Sequence, residues 1–117
     1  MTPLVGLIMS SPDPGRLAAF YRSHFGIPYQ LNQHGALPAH YECDQNGIHF
    51  AIIERRVPKH PGNIVPSFQV ADLADTLAAF EREGVQPLHD VMELGGGSRV
   101  STIPDPDGNH VRLFESH

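Results

Sequence analysis

Tryptophan is absent from this chain of 117 residues, and cysteine and lysine occur once each. With Cys43 alone, neither a disulfide framework nor a cysteine-based zinc site can form within the chain. The only lysine is Lys59, no run of Lys or Arg exists, and the formal charge is −5. That balance excludes the basic surface by which proteins hold nucleic acid or anionic membranes. No apolar run approaches the ~20 residues of a membrane span. Met1 to Met9 has neither a basic region nor a cleavage site, so the expected location is cytoplasmic.

Turn formers and histidine are abundant. Gly and Pro number 11 each, well above the roughly 12 % combined share of average chains, which excludes a helical bundle. Full protonation of the eight histidines would carry the net charge from −5 to +3, so charge is unusually sensitive to pH. The length fits one domain of the common size of roughly 100–150 residues, enough to bury roughly two-thirds of the surface exposed on unfolding.

An internal repeat organises the chain. Leu17-Ala18-Ala19-Phe20 recurs as Leu77-Ala78-Ala79-Phe80, an offset of 60. Asp44 to Glu54 matches Asp105 to Glu115 at an offset of 61, with Asp, Gly, His and Glu coinciding and the apolar positions agreeing in kind. The single domain 1–117 therefore reads as one unit used twice, over 1–57 and 63–117, with 58–62 as a linker stiffened by Pro58 and Pro61. Each unit opens with an apolar strand, Leu4 to Ser10 and Val65 to Val70. Helices follow, capped by Asp13 and Asp72, with apolar stripes of Leu17, Phe20, Tyr21 and Phe25 and of Leu73, Leu77 and Phe80; Gly26 and Gly84 stop them. Three strands complete each unit, in the first copy around Tyr29 to Asn32, Pro38 to Asp44 and Ile48 to Glu54. Asn46-Gly47 and Asp107-Gly108 are the expected two-residue hairpin turns. The unit is βαβββ.

This order, with Phe20-Tyr21 closing the first helix and Asp105-Pro106-Asp107-Gly108-Asn109 opening the last strand, resembles the vicinal oxygen chelate superfamily. That group contains glyoxalases, extradiol dioxygenases, fosfomycin-resistance enzymes and bleomycin-binding proteins. The resemblance covers the whole chain. It implies an α+β fold in which two tandem βαβββ modules form a curved mixed sheet around a cavity, the glyoxalase/bleomycin-resistance fold, and it implies a homodimer. Metal-using members take ligands from the first and last strand of each module. Those positions carry over to Gly6, Ala51, Val65 and Arg112, none of which can ligate a divalent ion. No metal and no cofactor are therefore expected there, and Arg112 would place a guanidinium where a cation otherwise sits.

Period-two alternation sorts the faces of the strands. Val111 and Leu113, like Ile48, Phe50 and Ile52, suit packing under the helices, whereas His110, Arg112 and Phe114, like His49, Ala51 and Ile53, should face the cavity. In the first strands Ile8, Ser67 and Gln69 look inward. The expected floor is Ile8, Ala51, Ile53 and Phe114, with His49, His110, Arg112, Ser67 and Gln69 as polar groups. Arg112 reads either as an anchor for a carboxylate, phosphate or polarised carbonyl, or as the partner of Glu42 or Glu93 across the sheet. His49 and His110 read as hydrogen-bond donors or proton shuttles, or as rim residues retained by a repeated turn motif. His34, His60, His89 and His117 fall in loops or at the terminus and read as solvated, and Cys43 as structural. Gly95-Gly96-Gly97 lacks the lysine and following helix of a phosphate loop and reads as a connection.

The function expected from these residues is metal-independent binding of a small organic ligand, anionic or aromatic, in the cavity between the modules. Catalytic residues are not assigned, since no inward ligand position carries a carboxylate to act as general base. The alternative is a metal-dependent lyase, isomerase or dioxygenase of the same superfamily using His49 and His110 as displaced ligands.

Overall fold

The computed structural model describes residues 1, 3–34, 38–54, 65–94 and 96–116. The chain divides into two compact units, Met1–Lys59 and His60–His117, and the expected linker 58–62 lies outside the described residues. Each unit is a βαβββ module built on a four-stranded mixed sheet, so the fold is α+β. Among the described residues no helix is long and apolar enough to cross a membrane.

The first module runs β1 (Gly6–Ser11), α1 (Pro14–Phe25), β2 (Gln30–Asn32), β3 (His40–Gln45) and β4 (Ile48–Glu54). Its sheet order is β1-β4-β3-β2, with β1 and β4 parallel and the other pairs antiparallel. Helix α1 starts where Asp13 accepts a hydrogen bond from the Arg16 N–H at 3.2 Å and Pro14 fills the first turn. It ends at Gly26, whose φ of +68° is the left-handed conformation that a Cβ would strain. Leu17, Ala18 and Tyr21 are the buried stripe, packed toward Ile52, which is 0 % exposed. Tyr29 closes this core edge-on to Phe50, with ring centroids 6.4 Å apart. Cys43 points to the same side, and burial pushes its thiol pKa up, as suits a packing residue.

The second module repeats the plan with β5 (Ser67–Gln69), α2 (Leu73–Arg82), β6 (Met92–Glu93), β7 (Arg99–Pro104) and β8 (His110–Glu115) in the order β5-β8-β7-β6. Asp72 caps α2 by accepting from the Asp75 N–H at 2.9 Å. Leu73 and Phe80 pack with Ile103, Val111 and Leu113, all of them buried. β5 is shorter than the strand expected over Val65 to Val70 and keeps register with β8 over Ser67–Gln69 only.

The two hairpins differ from each other. Asn46 and Gly47 have φ of +54° and +78° and join Gln45 to Ile48 in the expected two-residue turn. In the second module Pro104 pairs with His110, so the turn spans the five residues 105–109. The buried Asp105 carboxylate organises it, accepting from the N–H groups of Asp107 and Asn109, each at 2.9 Å, and from Asn109 Nδ2 at 2.7 Å. This side-chain mimicry of a turn is the physical content of the Asp-Pro-Asp-Gly-Asn motif.

Glu115 ties the second module together. It is 6 % exposed, accepts from the Leu73 N–H at the start of α2 at 2.8 Å, and takes the Arg99 guanidinium on its other oxygen at 3.1 and 2.9 Å. Glu115→Ala would orphan a buried helix donor and a guanidinium whose side chain is only 33 % exposed. The partial solvation of Arg99 tempers the penalty, which should be about 2–3 kcal/mol in chemical denaturation.

Candidate functional site

Strand parity gives each sheet a helix-covered face and an open one. On β8, Val111 and Leu113 are 0 % exposed, whereas His110 and Arg112 are exposed. On β4, Ile52 lies under α1, and Ala51 and Ile53 turn to the other side. Of the residues expected to line the cavity, Ile8, His49, Ala51 and Ile53 line a hollow on the first module's open face, and Ser67, His110 and Arg112 line one on the second module's.

The hollow of the first module holds about 500 Å³. Ile8, Ala51 and Ile53 make its floor, Pro38 and Ala39 one apolar flank, and His40, His49 and Glu54 its polar groups. Across the sheet Ile8 pairs with Ala51 and Ala51 with Glu42, so Glu42 stands on the same face. The carried-over ligand positions have no carboxylate, but the same face does: residues opposite one another in a ladder share a face, and parity on β3 puts both His40 and Glu42 there.

Glu42 gathers imidazoles. His40 Nε2 lies 2.8 Å from Glu42 Oε2, His34 Nε2 contacts Oε1, and Asn32 Nδ2 donates to Oε1 at 3.3 Å. His49 stands next to them, with Nδ1 2.9 Å from Asp44 Oδ1 and Nε2 3.6 Å from Glu42 Oε2. His34, expected in solvent, is thus a partner of Glu42. The His34 and His40 hydrogen bonds hold the Glu42 carboxyl down at about 2 from an ordinary 4.5. The Pro38 carbonyl, and after it Glu42, raises the His40 pKa from its ordinary 6.5.

The hollow of the second module is smaller, about 340 Å³, and more polar. Arg112 sits in the middle of a cross-strand row, with Ser67 beside it on β5 and Thr102 on β7. Within the second module the Arg112 side chain makes no hydrogen bond or ion pair among the described residues, so the pairing with Glu93 does not form. His110 and His89 share this hollow. His89 is not simply solvated: its Nδ1 donates to the Asp90 carbonyl at 2.7 Å and its Nε2 lies 2.8 Å from Thr102 Oγ1. Gln69 and Phe114, expected to face inward, lie outside the linings of both hollows; Gln69 donates to Ser116 Oγ at 3.1 Å, and Phe114 is half-buried between its pairing partners Gln69 and Val100.

The model of the Glyoxalase/Bleomycin resistance protein/Dioxygenase superfamily matches residues 5–113. The chain belongs to this superfamily. Among solved structures, a glyoxalase/bleomycin resistance protein from Catenulispora acidiphila is 25 % identical with a TM-score of 0.64, over 99 % of this chain and 100 % of that one. An antibiotic-binding protein, TnmS3, from a Streptomyces species is 17 % identical with a TM-score of 0.72, over 100 % and 98 %. Oxidase ChaP-H2 is 17 % identical with a TM-score of 0.75, over 99 % and 94 %. No curated protein matches the chain. The ligand positions carried over from metal-using members of the superfamily do not fit a metal here. The register sets Ile8 beside Ala51 and Ser67 beside Arg112, and with Gly6 and Val65 these residues supply no imidazole or carboxylate.

The Glu42 cluster makes stability depend on pH in a defined window. Glu42 has a folded pKa below its unfolded one, so its contribution is present above about 4.5 and fades as pH falls toward 2. His40 has a raised folded pKa, so its contribution is present below about 6.5 and is lost as pH rises through the folded value. The stability gap between the wild type and Glu42→Gln should peak between pH 4.5 and 6.5 and shrink on both sides, as denaturant unfolding at a series of pH values would record.

Proposed function

We propose that the protein binds a small organic molecule, aromatic or anionic, without using a metal at Gly6, Ala51, Val65 or Arg112. The observation that carries this reading is the first module's hollow of about 500 Å³, whose floor is apolar and whose polar groups stand to one side. Small-molecule sites have this size and this distribution of chemistry, typically 300–1,000 Å³ with a few oriented polar groups. Ile8 and Ile53 are 64 % and 44 % exposed, an arrangement that leaves their apolar surface for a ligand to cover. In the second hollow Arg112, flanked by Ser67 and Thr102 and sharing the space with His110, has the donors to hold a carboxylate or phosphate, because a guanidinium can bind either bidentately. The antibiotic-binding description of TnmS3 supports a binding role, while the oxidase described on the same fold shows that the fold alone selects no chemistry. The reading includes a homodimer located in the cytoplasm.

Anilinonaphthalene sulfonate, an aromatic anion, is a direct probe of the first hollow. Ile53→Asp removes apolar contact worth about 1.5–3 kcal/mol, and dye affinity should fall by roughly tenfold or more. Arg112→Ala should weaken binding of inorganic phosphate at the second hollow by about tenfold, followed through the His110 and Thr102 resonances. Unchanged dye affinity in Ile53→Asp would overturn the reading of the first hollow, and unchanged phosphate affinity in Arg112→Ala that of the second.

A further inference from the structure

Three imidazoles converge through Nε2 on one carboxylate at the open face of the first sheet. His40 approaches Glu42 Oε2 at 2.8 Å, His34 contacts Oε1, and His49 waits 3.6 Å from Oε2. One donor atom from each of His34, His40 and Glu42 lies within 4.8 Å of the other two. A four-coordinate ion with bonds of about 2.0–2.2 Å holds its donors about 3.4 Å apart. The side chains therefore reach coordinating distance with shifts of about 1 Å or less.

The opposite ring nitrogens carry the argument further. A metal-ligating histidine typically donates its other N–H to a carbonyl or carboxylate, which fixes the tautomer and aims the free nitrogen. His40 Nδ1 does this to the Pro38 carbonyl at 3.0 Å, and His49 Nδ1 to Asp44 Oδ1 at 2.9 Å. Glu42 is itself steadied by Asn32 Nδ2 at 3.3 Å. The His40 and Glu42 side chains are 14 % and 13 % exposed, which limits competition from water.

We propose that His34, His40 and Glu42 form a binding site for a divalent transition-metal ion, with His49 as the nearest further donor. Two imidazole nitrogens and one carboxylate oxygen suit Zn²⁺, Co²⁺ or Ni²⁺, whereas Mg²⁺ and Ca²⁺ demand shells of oxygen. The site lies one strand away from the position to which the superfamily's ligands carry over, since Glu42 is the β3 partner of Ala51. Three protein ligands leave a coordination position open. Because His40 also forms part of the wall of the hollow, a donor group on a molecule held there could complete the shell. The proposal goes beyond the binding reading and does not rest on it.

The test uses metal alone. Metal-free protein titrated with Co²⁺ should develop the visible d–d absorption of a nitrogen- and oxygen-ligated ion, saturating at one equivalent, and Zn²⁺ should displace it. His34→Ala removes a ligand whose side chain is 58 % exposed, so the fold is not at stake, and Zn²⁺ affinity should fall at least ~100-fold. Asn32→Ala, which loosens Glu42 without removing a ligand, should cost roughly 10–100-fold. His24→Ala on α1 should change nothing, which separates this site from casual binding by surface histidines. No saturable Co²⁺ absorption in the wild type, or wild-type Zn²⁺ affinity in His34→Ala, would overturn the proposal.

Discussion

The parallel pairing of first and last strands is the constraint on which each module depends. Gly6 to Ser11 runs beside His49 to Glu54, and Ser67 to Gln69 beside Arg112 to Phe114. A parallel pair cannot be closed by a hairpin and needs a crossover. Here the crossover contains a helix, which packs on one face of the sheet, and two further strands that widen the sheet. One face is then sealed by Leu17 and Tyr21 or by Leu73 and Phe80, and the other is left open. Alternation along the strand does the rest, giving buried Val111 and Leu113 against exposed His110 and Arg112.

The repeat makes the two open faces comparable residue by residue, and their chemistry is opposite. The central row of the first sheet is Ile8, Ala51 and Glu42, and that of the second is Ser67, Arg112 and Thr102. One row is apolar with a carboxylate at its end; the other is a cation between two hydroxyls. Glu54 and Glu115 diverge in the same way. Glu115 is buried between Arg99 and the start of α2, whereas Glu54 is exposed at the rim of the first hollow. The cause lies on the neighbouring strand. β7 sets Arg99 opposite Glu115, while the paired register of β3 with β4 ends at Tyr41 and Ile52 and offers Glu54 no cation.

Module order, helix caps and strand faces were legible because each rests on local chemistry: Asp13 and Asp72 as caps, Gly26 as a stop, and period two along β4 and β8. Strand lengths were less so, since they depend on partners; of the strand expected over Val65 to Val70, only three residues keep register with β8. Membership of the superfamily was readable from the Asp105 to Asn109 motif. The length of that turn was not, because the Asp105 carboxylate, accepting from the Asp107 and Asn109 N–H groups, adds to the turn's backbone bonds and holds a five-residue turn that the Asp-Gly pair alone does not specify. The Glu42 cluster was half legible. His40 and Glu42 are two apart on a strand and must share a face, a signal available in the sequence. His34 joins them through the β2–β3 register, Leu31 opposite Tyr41, which no local pattern specifies.

The small side chain at position 51 connects the hollow to the cluster. Residues directly opposite in an antiparallel pair have Cβ atoms about 4.5–5.5 Å apart, so a long side chain at 51 would compete with Glu42 for the space above the sheet. Alanine leaves that space free, and Ala51 itself is only 4 % exposed. The same vacated volume serves two purposes. It forms the apolar floor between Ile8 and Ile53, and it lets His40 and His49, from adjacent strands, lean toward one carboxylate. A position that offers no ligand of its own thereby makes room for donors one strand over, and the polar wall and the apolar floor of the first hollow have a single structural origin.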